Sequence, residues 1–218
     1  MSKGPAKIII EGTDYAQTKA ISLALSEYPP FVGQKENHRY TTVISTKWGN
    51  FNDFPWGKGL VDFEPSQELQ AMKNYGVWVC LIEMQGLYNW IIDRFHVFAQ
   101  RYQIQNHKHR SDFTWLEERF LKLGFHLVHV VQNEAAIQQA ILGQKNIGGD
   151  DQIETILQGQ ELSREIVSKS ILPKFELDTS EMSIQETVVS ITDWYEEVYA
   201  YTQPEHQEPE KIFLPSCA

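Results

Sequence analysis

Short apolar runs and stretches of helical spacing alternate along most of the chain. Residues 8–11 form a β-branched run that ends in an acid, and Gly12 stops it. A run of this kind is typical of a parallel strand buried on both faces. From Gln17 onward apolar residues recur at helical spacing: Ala20, Ile21, Ala24 and Leu25. The pattern therefore predicts a buried strand, a glycine turn and a helix that packs back on the strand.

The same alternation continues to about residue 200. Further strands are predicted at 40–45, 88–93, 125–131 and 174–179. Helices are predicted from 66 to about 86, from 94 to about 105, and over 111–124, 133–142, 151–169 and 181–200. Strands that alternate with helices predict an α/β protein with a parallel sheet of about five strands.

The first long helix follows Glu64-Pro65-Ser66, where Ser66 can act as the N-cap. We expect it to end near Gly86 and to bury one apolar face. The residues expected on that face are Leu69, Met72, Val77, Cys80, Leu81 and Met84.

Size and composition favour a single globular body with a tail. The chain has 218 residues, of which 42% are hydrophobic. We predict a body over 1–201 and a tail over 202–218, whose residues 203–210 are acidic and contain proline. The last stretch, 211–218, is apolar, so it is either a docking peptide or a segment pinned to the body.

Charge and cysteine usage exclude several classes of protein. The net charge is -10 and no Lys/Arg stripe is present, which argues against a partner that is a nucleic-acid polymer. No apolar run reaches the roughly 18 residues of a membrane span, and no secretory segment precedes the first strand. Cys80 lies in an apolar run and Cys217 next to the C-terminus, so a structural disulfide is not expected. We therefore predict a cytoplasmic protein that does not bind membranes.

The first turn has the shape of a phosphate-binding loop. A strand, a glycine turn and a helix N-terminus together present backbone N–H groups to an anion. A working loop reads Gly-x-x-x-x-Gly-Lys-Ser/Thr. This chain has Gly12, four residues, and then Gln17, Thr18 and Lys19, so the second glycine is missing and the lysine comes one place late. One helical residue is about 100° of rotation, so Lys19 is expected to point elsewhere than a working lysine.

A second polar site follows the 88–93 strand. Asp93 and Arg94 would stand at the carboxyl edge of a parallel sheet, where ligands bind in open α/β folds. The alternative is a surface ion pair at a strand end. His126 and His129 stand three apart on a strand and face opposite sides, which argues against a shared metal site, and we expect no metal site of the protein's own.

The loop over 47–59 is rich in aromatic residues among Gly, Asn and Pro. It either folds onto the core through its rings or forms a lid over a base or a docking surface for a protein.

Three stretches together resemble the thymidylate kinase and deoxynucleoside kinase group of P-loop nucleotide kinases. In IIIEGTDYAQTKA, Glu11, Gly12 and Asp14 match that group's strand and loop, whereas Tyr15, Gln17, Thr18 and Lys19 depart from it. IIDRFHVFAQRYQ is similar to the group's Asp-Arg-aromatic motif, with matches at Asp93, Arg94, Phe95, Tyr102 and Gln103. The third stretch comprises Trp115-Leu116-Glu117, the strand after Gly124 and the Ser-x-Leu-Pro pattern at 170–173. The likeness spans nearly the whole body.

The resemblance implies a three-layer P-loop NTPase-like fold with ATP and Mg²⁺ on the loop. Its phosphate-binding residues would be Gly12, Asp14, Gln17, Thr18 and Lys19. The acceptor would be a nucleoside or nucleoside monophosphate between the 47–59 loop and Asp93-Arg94. Arg94 would hold phosphate, and Asp93 or Asp14 would serve the metal or the acceptor oxygen. The substrate would be bound by Phe95, Tyr102, Gln103 and Trp56, here called the substrate side.

Kinases of this group also close an arginine-bearing lid over the transferring phosphate. The corresponding region here, 133–163, contains Lys145 and no arginine. An arginine finger contributes about 10³ to 10⁵ in rate, so little catalysis is expected. The first hypothesis is a degenerate, catalytically weak or inactive relative that acts by binding a nucleotide or a protein, holding ATP weakly or not at all. A protein partner would meet the 47–59 loop or the tail.

The second hypothesis is an active ATP-dependent nucleoside or nucleoside monophosphate kinase. Under this hypothesis the positive charge that the loop and lid lack would come from Lys19, Lys145, Arg101 or Arg39.

Overall fold

Five parallel strands form one sheet in the computed structural model, which describes residues 4–33, 42–45, 60–143 and 150–202. The strands are β1 (Lys7–Gly12), β2 (Thr42–Ser45), β3 (Asn89–Asp93), β4 (His126–Val131) and β5 (Lys174–Asp178). Each lies where the apolar runs predicted a strand, so the predicted α/β class and parallel sheet of about five strands are confirmed.

The strand order is β2-β3-β1-β4-β5, which places β1 at the centre. The chain builds β2 and β3 on one side of β1 and then crosses to β4 and β5 on the other. Ile10 stands beside Asp93 of β3, and Gly12 stands beside Val130 of β4. Ligands of open α/β sheets bind outside the carboxyl ends of strands where the winding reverses, and here that place is the end of β1.

Helices cover both faces of the sheet. They are α1 (Thr18–Ser26), α2 (Pro29–Val32), α3 (Glu68–Met84), α4 (His96–His107), α5 (Thr114–Lys122), α6 (Glu134–Leu142), α7 (Asp150–Lys169) and α8 (Ile184–Thr202). Alternate side chains of β1 enter two different cores. Ile8 and Ile10 pack with residues of α1, α2 and α8, while Ile9 packs with residues of α3, α4, α5 and α7. The result is the expected three-layer arrangement.

The predicted buried face of α3 is wrong. Its buried residues are Ala71, Tyr75, Val79, Cys80 and Ile82, of which only Cys80 was expected. Leu69, Val77 and Met84 are about 70% exposed. The segment is apolar on most sides, so spacing alone does not select one face. The predicted cap at Ser66 is also wrong, because Glu64 forms a capping box with Gln67 before a short 3-10 turn, Pro65–Gln67.

Several predictions lie outside the described residues. Trp56 and the 47–59 loop belong to the segment 46–59, and Lys145 belongs to 144–149. The acidic stretch 203–210 and the apolar end 211–218 also lie outside the described residues. Among the helices of the described ranges, none combines the length and apolar character that crossing a membrane requires.

Candidate phosphate-binding cleft

A cleft of about 500 Å³ opens above the turn between β1 and α1. Its lining comes from the turn, from the end of β3 and from α6: Thr13, Asp14, Tyr15, Gln17, Thr18, Lys19, Arg94, Ala140 and Gly143. The structure therefore brings the predicted loop residues and Arg94 of the Asp-Arg motif to one site.

Gly12 lets the end of β1 lie against the start of α1. A Cβ atom added at Gly12 would be 2.8 Å from Thr18 Cγ2 and 3.0 Å from Ala16 Cβ. Contacts this short do not occur in folded proteins, so a larger residue would push the turn away from the strand. The glycine thus keeps the turn in place without itself facing the cleft.

Gln17 adopts the backbone conformation that glycine prefers. Its φ and ψ are 54° and 24°, in the left-handed region, at the position where the loop motif has its second glycine. The Gln17 side chain makes no cap hydrogen bond to α1. The first N–H groups of a helix have no partner within the helix and carry partial positive charge. The turn therefore keeps an anion-binding backbone although the glycine is absent.

Thr18 stands where the motif has its lysine. It is 4% exposed, and its hydroxyl lies beside the carboxylate of Asp93. Lys19 is exposed, but it also lines the cleft. The lysine charge is thus retained at the edge of the site, while the position that the motif gives to lysine is filled by a buried hydroxyl.

Asp93 is a buried carboxylate at the end of β3. Its side chain is 1% exposed; Oδ1 has no hydrogen-bond partner among the described residues, and Arg94 Nε lies 3.9 Å from it. Burial raises the pKa of Asp93, and the neighbouring Thr18 hydroxyl and the charges of Arg94 and Lys19 offset only part of that rise. Asp93 is therefore a buried acid beside the phosphate turn, not an exposed partner in a surface ion pair.

Arg94 has a left-handed backbone, with φ of 53°. One guanidinium nitrogen donates to Asp14 Oδ1 at 3.0 Å, and Nε lies 3.9 Å from Asp93 Oδ1. The guanidinium also lies 5.0 Å from the centre of the Phe98 ring. Arg94 therefore faces the cleft, but its charge is shared with an acid of the phosphate turn itself.

Sequence reasoning missed the role of Glu11. This residue is 1% exposed, and its carboxylate accepts hydrogen bonds from the N–H groups of Phe95 at 2.9 Å, Val97 at 3.2 Å and Phe98 at 3.2 Å. Glu11 thus caps α4 from the neighbouring strand, which joins the phosphate turn to the helix after Arg94. Burial raises the pKa of Glu11, while His96 and these N–H groups lower it in part. No local pattern predicts this contact, because the partners are 84 or more residues apart.

The predicted substrate side does not assemble at this cleft. Phe95 is 1% exposed and stacks on Phe120, with ring centres 5.6 Å apart. Gln103 is fully buried and donates to the Val61 carbonyl at 2.6 Å, and Tyr102 packs against the core beneath the sheet with its ring centre 6.4 Å from that of His107. None of the three lines the cleft in the part of the chain that the structure describes.

Arg101 lies one layer behind the cleft. It is 6% exposed, and its guanidinium is 4.9 Å from the centre of the Phe98 ring, so Arg94 and Arg101 contact the same ring. Space for it exists because the facing residue of α7 is Gly159, where an added Cβ would be 3.1 Å from the guanidinium. Arg101 therefore contributes charge to the site without lining it.

Comparison with known proteins supports the fold. No family model and no curated protein matches the sequence. Among solved structures, YorR of Bacillus subtilis, in complex with phosphorylated GDP, is 17% identical with a TM-score of 0.57 over 91% of this chain and 100% of YorR. A gluconokinase of Sinorhizobium meliloti is 11% identical with a TM-score of 0.51 over 93% of this chain and 100% of the enzyme. Thymidylate kinase of Candida albicans is 13% identical with a TM-score of 0.50 over 91% and 94%. The chain has a P-loop kinase-like fold, as the resemblance implied.

Proposed function

We propose, on the premise of a P-loop kinase-like fold, that this chain binds the phosphate groups of a nucleotide in the cleft above the β1–α1 turn and transfers phosphate weakly or not at all. The protein would then act by binding, through the nucleotide, a protein partner or both. The partner surfaces would be the 47–59 loop and the tail, and the location would be the cytoplasm; these parts rest on the sequence.

The occupant of the lysine position carries this proposal. Thr18 is buried there beside Asp93, so the side chain that reaches the β- and γ-phosphates in a working loop is absent from its place. The left-handed backbone at Gln17 and a helix N-terminus without a side-chain cap nevertheless support phosphate binding. The combination favours binding over transfer.

The charge of the cleft supports an anionic ligand. Lys19 and Arg94 line it, and Arg101 stands behind Phe98, against the acids Asp14 and Asp93. Among the charged residues that line the cleft, the two cations Lys19 and Arg94 outnumber the one acid, Asp14, although the whole chain carries a net charge of -10. The YorR structure, which holds phosphorylated GDP, makes a nucleotide the first ligand to test.

The donors present fit a Mg²⁺ ion that arrives with the nucleotide phosphates. Within the described residues, no group of three or more His, Cys, Asp or Glu side chains is placed to hold a metal ion. Mg²⁺ is usually held by one or two carboxylates together with phosphate oxygens, and Asp93 with its unpartnered Oδ1 is the carboxylate suited to that. Bound Mg²⁺ would neutralise phosphate charge.

Weak transfer also follows from the residues around the cleft. Between 133 and 163 the chain has no arginine. Arg164, the first one after that region, binds Glu176 and Glu161. Arg94 is paired with Asp14. Fixed positive charge around the transferred phosphate is the main source of rate in phosphoryl transfer, and here little of it is available.

The alternative is an active nucleoside or nucleoside monophosphate kinase. One observation favours it: Lys19 and Arg94 line the same cleft, so a displaced lysine and the motif arginine could both contact phosphate. Under this alternative, Lys19→Ala and Arg94→Ala should each lower kcat/KM at least about tenfold, as expected for the loss of a charge-assisted hydrogen bond.

Calorimetry and a coupled assay separate the two functions. ATP and GTP with Mg²⁺ are titrated into the wild-type protein, and turnover is measured with a panel of nucleosides and monophosphates. We expect the wild type to bind nucleotide without robust turnover, and Arg94→Gln to bind it more weakly. Arg110→Gln is the control, because Arg110 pairs with Glu165 outside the cleft, and its nucleotide affinity should be unchanged. Robust ATP-dependent turnover would refute the proposal in favour of the alternative.

A further inference from the structure

Tyr15 connects the phosphate turn to a separate part of the molecule. It lines the cleft, and its backbone is left-handed with φ of 72°. Its hydroxyl accepts a hydrogen bond from Gln152 Nε2 at 3.0 Å. Tyr15 is one of the residues at which the sequence departs from the kinase pattern, so the resemblance to that group does not imply this contact.

The part that Tyr15 contacts is here named the arm. It consists of α6 and the first half of α7, residues 151–157. The arm has its own small apolar cluster, distinct from the two cores beside the sheet: Ile137, Ile141, Ile153 and Ile156, with Tyr15 and Leu157 packed against it. Tyr15 is the residue of this cluster that comes from the phosphate turn.

The arm is fixed at its base and contacts the cleft near its tip. At the base, Gln160 exchanges two hydrogen bonds of 2.9 Å with the backbone of Gln132. Toward the tip, Ala140 and Gly143 line the cleft. The Tyr15 contact therefore lies at the tip end of the arm, beside the surface that a ligand would meet.

We propose that Tyr15 is a positioning residue, which holds the phosphate turn in its binding conformation by docking into the arm. Left-handed backbone at a residue other than glycine is unfavourable and persists only where the surroundings enforce it. The turn contains two such residues, Tyr15 and Gln17. Packing of the Tyr15 ring and the bond to Gln152 supply that enforcement, so the N–H groups of α1 stay directed at the cleft. This inference rests on the proposed function and names how its site is controlled.

Reciprocity follows from this coupling. If the arm stabilises the turn, then phosphate bound to the turn must stabilise the arm by the same factor. Nucleotide binding should therefore slow amide hydrogen exchange in α6 and in residues 151–157, and loss of the Tyr15–Gln152 bond should weaken nucleotide binding.

Tyr15→Phe and Gln152→Ala test the coupling, with Gln158→Ala as the control. Gln158 lies on the same helix, is exposed, and bonds only to Glu154 among the contacts the structure shows. Both test variants should raise the Kd for ATP with Mg²⁺ about two- to tenfold, the range of one neutral hydrogen bond. They should also speed exchange in the arm and in residues 13–19. Because both remove the same bond, the double variant should weaken binding no more than either single variant.

The outcomes separate this inference from the proposed function. If wild-type protein binds no nucleotide, the proposed function fails, and the exchange of the ligand-free protein still decides the inference. Faster exchange in the arm with unchanged exchange in 13–19 would overturn the coupling, as would unchanged or tighter nucleotide binding in the two variants. Should Tyr15→Phe fail to fold, Gln152→Ala gives the same readouts.

Discussion

Gln17 shows how one side chain can differ from a motif while the backbone keeps the motif's shape. Its left-handed conformation is the one that glycine adopts without strain. From the sequence, the missing glycine indicated a damaged loop. The conformation itself could not be predicted, because local preference disfavours it in glutamine and only the tertiary contacts of the turn impose it.

Replacing Gln17 with glycine should therefore stabilise the protein. Relief of the left-handed strain is expected to raise the free energy of unfolding by about 1 kcal/mol. Urea unfolding followed by circular dichroism measures it. Ala20→Gly, a matched change inside α1, should lower the same quantity by about 1 kcal/mol, since the backbone is right-handed there. A lower free energy of unfolding in Gln17→Gly than in the wild type would contradict the proposed strain at Gln17.

The phosphate turn as a unit was the best predicted part of the site, because strand, glycine and helix follow one another within 20 residues. Its partners were not predictable in the same way. The contact of Thr18 with Asp93 and the hydrogen bond from Arg94 to Asp14 join distant segments, and no local pattern encodes them. Likewise, an apolar run such as α3 predicted a helix but not its buried face.

Restoring the motif tests whether the turn is degenerate. The triple variant Gln17→Gly, Thr18→Lys, Lys19→Thr places glycine, lysine and hydroxyl in the motif order. We expect the Kd for ATP with Mg²⁺ to fall about tenfold or more, the value of one charge-assisted hydrogen bond, with turnover still low because the arm has no arginine. Calorimetry gives the affinity, and Lys122→Thr on the exposed face of α5 is the control. An unchanged Kd would show that the lysine position is not what limits binding.

Strand β4 should make stability depend on pH. Burial lowers the pKa of His126 and of His129 below the ordinary value of 6.5, although Glu176 acts against this at His129. The unfolded chain then binds protons at higher pH than the folded one, so the stabilisation is complete above pH 6.5 and is lost as the pH falls below it. The slope from each histidine reaches at most about 1.4 kcal/mol per pH unit. Between pH 7.5 and 5 the free energy of unfolding should fall less in the double variant His126→Gln/His129→Gln than in the wild type. An equal fall in both proteins would contradict this.

The order of the strands could not be predicted for the molecule as a whole. Alternation of strands and helices indicated a parallel sheet, but which strands are neighbours depends on contacts between distant segments. α8 completes the body: Trp194 stacks on Phe175, with ring centres 5.1 Å apart, and the Tyr195 hydroxyl accepts from the Lys7 N–H at 3.2 Å. The predicted division between body and tail falls at the end of this helix.

Truncation tests that division. A chain that ends at Thr202 should unfold with a free energy within about 0.5 kcal/mol of the full chain, because the contacts of α8 with β1 and β5 remain. A chain that ends at Asp193 lacks Trp194 and Tyr195 and should lose several kcal/mol, since burying an aromatic side chain contributes about 3 to 5 kcal/mol. Equal loss in both would place part of the core beyond residue 202.

The cap that Glu11 provides to α4 has a mechanical consequence. One carboxylate joins the start of that helix to the central strand. We therefore expect the β1–α1 turn and the segment that carries Arg94 to move as one unit. The cleft should then open for a ligand by movement of the arm rather than of this unit.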